Sequence, residues 1–166
     1  MKFIDDVTES AGIEFKGMFS SGGVLVIDLD SNTHTFTGTS SAMMSFAGPF
    51  SIEIKDGTME LDPASVNPSH TGIQVKNGAF LWLWNTLTID GKSKAFRELT
   101  QVVQTGQILW NNPTCSNVNV ATIALRIDKA RAMAYVGDPT TTNLVAGGLL
   151  VTKDGNIITE AGTFTP

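Results

Sequence analysis

The chain has 166 residues, 11 of them basic and 16 acidic, for a formal net charge of -5 and a pI near 4.8. One domain with a single sizeable core fits this length without disulfide staples, and the basic residues are too scattered to grip a phosphate backbone, which speaks against a nucleic-acid partner. Charged residues make up 16% against roughly 25% in typical soluble domains, so the surface is built from Thr, Ser, Asn and Gly, with threonine occurring 20 times.

The opening segment, MKFIDDVTESAG, carries acids where an export signal needs a long apolar run, so no secretion is expected. Ile4, Ile13 and Phe15 lie in a stretch, residues 1–21, that reads either as edge strand or as an arm adding a strand to a neighbour. Val24 to Leu29 is apolar on both faces and ends in a polar turn. Thr33 to Thr39 follows a strict period of two with a threonine face. Ser40 to Gly48 reads as a gap-filling loop with two methionines. Phe50 to Lys55, Asp56-Gly57 and Thr58 to Leu61 spell a hairpin, because type I′ turns need positive φ at both central residues. Pro63 and Pro68 make the next segment a loop.

Asn77-Gly78 gives a second hairpin signal before the run Ala79 to Asp90, in which Phe80, Trp82 and Trp84 alternate with Leu81 and Leu83. Spacings of three and four among Phe96, Leu99 and Val103, with Gly106 at a C-cap position, predict a short helix over 93–105; a strand continuing through Gln107 to Trp110 is the alternative. Val118 to Ile127 alternates as a half-buried strand, and Asp128 to Tyr135 fits helix or strand. Leu144 to Thr152, Asp154-Gly155 and Asn156 to Thr159 form a last hairpin, with 161–166 as a second candidate arm that includes Phe164. The expected fold is all-β and mainly antiparallel, a β-sandwich or jelly-roll-like barrel with at most one or two short helices. No repeat of fixed period is visible, and no apolar stretch approaches the roughly 20 residues of a membrane span.

Chemistry is sparse. The two histidines, His34 and His70, lie in separate segments and read as hydrogen-bonded surface or loop residues, and no nucleotide or nucleophile-elbow motif occurs. Asp28, Asp30 and Asn32 have the spacing that opens a calcium loop, but Thr33 and Thr39 stand where its glycine and closing glutamate belong, so turn chemistry explains them better. Glu53, Glu60, Asp90 and Glu98 supply carboxylates, with Glu53 and Glu60 facing each other across the expected Asp56-Gly57 hairpin. Cys115 is alone and reads as a structural, reduced thiol. Trp82, Trp84 and Trp110 either fill a core or form a stacking platform for sugars.

Taken together, the β-rich, acidic, weakly charged chain with no catalytic constellation resembles the small β-sandwich structural proteins of tailed-phage particles, such as capsid decoration or tail subunits. That resemblance implies a non-enzymatic virion protein, without cofactor, that binds copies of itself or other structural proteins as a homo-oligomer. The competing expectation is a carbohydrate-binding sandwich module.

Overall fold

Leu81 and Leu83 are fully buried, while Phe80 and Trp82 are half-buried on the opposite side of the strand, as a period of two requires. The backbone hydrogen bonds of this strand do not go to its neighbours in sequence. Phe80 pairs in parallel with Ser51 on one side and with Gln107 on the other, and Ser51 pairs with Val24. Steps of 27, 29 and 27 residues between these partners show a chain that coils.

The computed structural model describes residues 2, 5–17, 23–38, 42–63, 70–111, 113–119 and 122–128 in full. It describes 133–136, 144–146, 149–152, 157–158 and 162–164 as backbone strands. The chain is an all-β, parallel β-solenoid of about four turns. Its first turn is β1 (Val7–Glu9), β2 (Ile13–Lys16) and β3 (Val24–Asp28), and its second β4 (Thr33–Phe36), β5 (Ala42–Ala47) and β6 (Ser51–Lys55). The pattern continues through β7 (Gly57–Leu61), β8 (Thr71–Lys76), β9 (Phe80–Leu83), β10 (Leu87–Asp90), β11 (Glu98–Val102) and β12 (Gln107–Trp110). β13 (Thr114–Ser116), β14 (Ile123–Ile127) and β15 (Met133–Val136) follow, then β16 (Leu144–Ala146), β17 (Leu149–Thr152), β18 (Ile157–Ile158) and β19 (Gly162–Phe164). The first sheet stacks β1-β4-β7-β10-β13, the second β2-β5-β8-β11-β14-β16-β19, and the third β3-β6-β9-β12-β15-β17-β18. Only the last pair in the second and third sheets, β16 with β19 and β17 with β18, is antiparallel.

Parallel stacking puts residues of like character above one another. Ile27, Ile54, Leu83 and Trp110 form one interior column of the third sheet, and Phe46, Val75, Val102 and Ile127 one of the second. All eight are buried, each worth roughly 1.5–3 kcal/mol of transfer from water. Polar side chains also bond from turn to turn. Gln74 donates to Gln101 at 2.7 Å and Gln101 to Asp128 at 2.7 Å. Glu98, fully buried, is held by Arg97 at 2.8 Å, by the Thr71 hydroxyl and by Arg126 at 3.5 Å.

The antiparallel sandwich or barrel is therefore overturned, and the reason lies at the corners. Asn77 and Gly78 adopt the expected positive φ at both positions, 54° and 87°, whereas at Asp56-Gly57 only Asp56 does, at 58°, and Gly57 already opens β7. Positive φ bends the chain sharply but does not choose the strand's partner. Asp56-Gly57 leads from the third sheet to the first, and Asn77-Gly78 from the second to the third. The helix expected over 93–105 is replaced by β11, with every residue from Glu98 to Val102 buried, and Gln107 to Trp110 is a separate strand. The loop expected over Ser40 to Gly48 is mostly β5. Asp154-Gly155 lies outside the described residues, although β17 and β18 pair as the last hairpin requires.

Candidate functional site

Three outer sheet faces and one interior void could bear function. On the first sheet, Thr33, Thr58, Thr88 and Thr114 stand in one column, beside a column containing Glu60 and Asp90. Glu60 accepts from the Thr35 hydroxyl at 3.0 Å and pairs with Lys92 at 3.1 Å. Glu53 belongs to the third sheet, so the facing of Glu53 and Glu60 expected across a hairpin does not occur. The basic residues are likewise spoken for: Lys94 pairs with Asp62 at 3.1 Å and Arg126 with Asp128 at 3.7 Å.

The Asp28, Asp30, Asn32 set lies at the corner between the third and first sheets. Asp28 accepts the Asp30 backbone N–H at 2.9 Å and pairs with Lys55 at 3.3 Å, while Asp30 pairs with Lys2 at 3.1 Å. Each carboxylate thus meets a lysine ammonium group. Among the described residues no group of three His, Cys, Asp or Glu is placed to hold a metal ion, and no helix is long and apolar enough to cross a membrane.

Both histidines, expected in surface or loop positions, are buried. His34 faces an apolar cavity of about 190 Å³ at the N-terminal end of the solenoid, lined also by Glu9, Ile13, Phe15, Leu29 and Met44. Its Nε2 lies 4.0 Å from Glu9 Oε1. Burial pushes the His34 imidazole below its ordinary value, opposed by the Glu9 charge. The cavity is smaller than the roughly 300–1,000 Å³ of ligand sites. Cys115 shares the interior column of His34, Met59 and Ile89, but three strand spacings, roughly 14 Å, separate thiol from imidazole. Burial pushes the Cys115 thiol up to about 12. Cys115 is half-buried, so it is expected to react with a disulfide reagent at pH 8 more slowly in the native protein than after denaturation, when one equivalent reacts. Equal rates in the two states would contradict its place in the interior column.

The outer face of the third sheet is different in character. Phe80, Trp82 and Trp84 form a ridge, with ring centroids 5.6 and 6.3 Å apart and planes at 74° and 73°. Val26, Glu53, Trp82 and Leu109 make one column across it. Val24, 42% exposed, pairs with Ser51 and extends the face. The rings pack edge to face, and the Nε1 atoms of Trp82 and Trp84 are covered and lack hydrogen-bond acceptors. Trp110 is fully buried in the core.

The expected interface residues fall inside the chain's own sheets. Ile13 and Phe15 sit in β2, where Phe15 stacks on Phe46 at 5.2 Å. Phe164 pairs with Leu144 within the second sheet, and Ile4 lies outside the described residues. Sequence reasoning named Glu53 but set it opposite Glu60 and missed its apolar surroundings. Its place between Ile52 and Ile54, both fully buried, marks it as outward-facing, but the apolar column around it emerges only with the parallel register. No protein-family model, no curated protein and no solved structure matches the chain.

Proposed function

We propose that this chain is a non-enzymatic structural protein that works by protein–protein contact, of the capsid-decoration or tail-subunit kind found in tailed-phage virions. The observation that carries the reading is the outer face of the third sheet, where an aromatic ridge and three aliphatic side chains, Val24, Val26 and Leu109, share one surface. Contiguous apolar patches on soluble proteins mark interaction sites, and a solenoid offers such a patch on an extended, rigid support. The paired acids and bases elsewhere supply surface polarity without convergent chemistry.

Light scattering of the purified chain tests this. The expected mass is a multiple of 17.7 kDa, with tryptophan emission unchanged by a panel of oligosaccharides. A monomer whose emission shifts on adding sugar would replace this reading with the carbohydrate-binding one.

A further inference from the structure

We infer that the partner of the third sheet's outer face is a second copy of this chain, bound about a two-fold axis parallel to the solenoid axis. The inference rests on the structural reading above and adds the partner, the symmetry and the contact that fixes the register. Its basis is the charge pattern of the face. Glu53 stands between Val26 and Trp82 in an otherwise apolar column, half-buried, its carboxylate without a hydrogen bond or ion pair among the described residues. A carboxylate so placed asks for a cation from outside.

Two residues along the same strand stands Lys55, 34% exposed. It pairs with Asp56 at 2.8 Å and Asp28 at 3.3 Å. An ammonium group has three donors, so one remains for a third acceptor. An isologous interface matches residue i of one copy with residue j of the other, and j with i. An axis passing over the column Ile27, Ile54, Leu83 and Trp110 reverses strand direction between facing sheets. The residue before each column member then meets the residue after it. Glu53 falls on the second copy's Lys55, twice over, and Trp82 on the second copy's Trp84. Val26 falls on the second copy's Asp28, whose charge that copy's Lys55 already holds. Sheets pack about 10 Å apart, a gap that lysine and glutamate side chains close together. The same operation covers both indoles and neutralises both glutamates, which no other pairing of described charges on this face achieves.

The test is a charge exchange on the full chain, read by sedimentation velocity, with circular dichroism to confirm that each variant folds. Wild type is expected as a dimer of the 17.7 kDa chain. Glu53→Lys and Lys55→Glu alone each place like charges in contact and are expected to weaken the dimer at least ~10-fold. The double variant E53K/K55E restores opposite pairing and is expected to recover the dimer. Dissociation by Trp82→Ser with no effect of either charge variant would overturn this geometry while leaving self-assembly through the face intact. A folded double variant as dissociated as the singles would also overturn it, and a monomeric wild type would remove both the geometry and the self-assembly beneath it.

Discussion

Replacing Trp110 by alanine is expected to cost about 3–5 kcal/mol of folding stability, the range for emptying a buried aromatic site. Domains of this kind hold roughly 5–15 kcal/mol in all, so the variant should unfold at a much lower urea concentration. Trp110 is fully buried in the column that begins with Ile27 and runs on to Val136, and it is the largest core side chain among the described residues. Its Nε1 has no hydrogen-bond acceptor, a state that itself costs about 1–3 kcal/mol. Trp110→Phe keeps an aromatic ring and deletes that N–H, so its loss should stay near 1 kcal/mol. Urea titrations of the two variants, followed by circular dichroism, give the comparison. If alanine costs no more than phenylalanine, the indole does not fill the interior.

The β character of the chain was legible, and so was much of its in–out pattern. Thr33 to Phe36 buries His34 and Phe36 and leaves Thr33 and Thr35 outward, as strict alternation requires. The positive φ at Asp56 and Asn77 was legible too, because few residues other than Gly, Asn and Asp adopt it readily. Strand partners were not legible. An Asn-Gly or Asp-Gly bend serves a hairpin and a solenoid corner equally well, and only the long-range register tells them apart. The register leaves a faint trace because the corners differ in length: Thr35 pairs with Glu60, 25 positions on, whereas Glu60 pairs with Asp90, 30 positions on. Unequal turns erase a fixed period even though the columns behind them are chemically alike.

The helix expected over 93–105 failed for a related reason. Phe96 and Leu99 are both buried, and their spacing mimics a helical face. It comes from an irregular segment entering β11, where consecutive residues are covered, one side by the core and the other by neighbouring polar groups such as Arg97 on Glu98. A strand buried at every position has no periodicity to read. The aromatic ridge was noticed for its composition. Glu53 and Lys55 become its neighbours only when the chain has coiled.

The coil also fixes where the chain tolerates no side chain at all, and Gly106→Ala is one such case. A Cβ there would lie 2.4 Å from the Val75 carbonyl oxygen and 2.8 Å from its carbon, atoms of the turn directly beneath. Strands stack at about 4.8 Å, and backbone so tied by hydrogen bonds cannot withdraw as a flexible side chain would. Gly106 N–H donates to Val103 at 2.9 Å and Gln107 N–H to Ala79 at 2.9 Å, so a shift at this corner also loosens the entry to β12. Overpacking ordinarily costs about 1–3 kcal/mol, and a clash with backbone belongs at or above the upper end, about 3 kcal/mol. Gly78 supplies the contrast. Its φ is 87°, yet a Cβ there meets nothing nearer than Pro49 at 3.7 Å, so alanine brings backbone strain of about 1 kcal/mol. Asparagine, which already occupies the left-handed position at Asn77, should cost less still. Thermal melts are therefore expected to rank Gly106→Ala well below Gly78→Ala, and Gly78→Asn closest to wild type. Equal melting points for the two alanine variants would mean that the Gly106 corner does not sit on Val75, and the stacking of the fourth turn on the third would need to be redrawn.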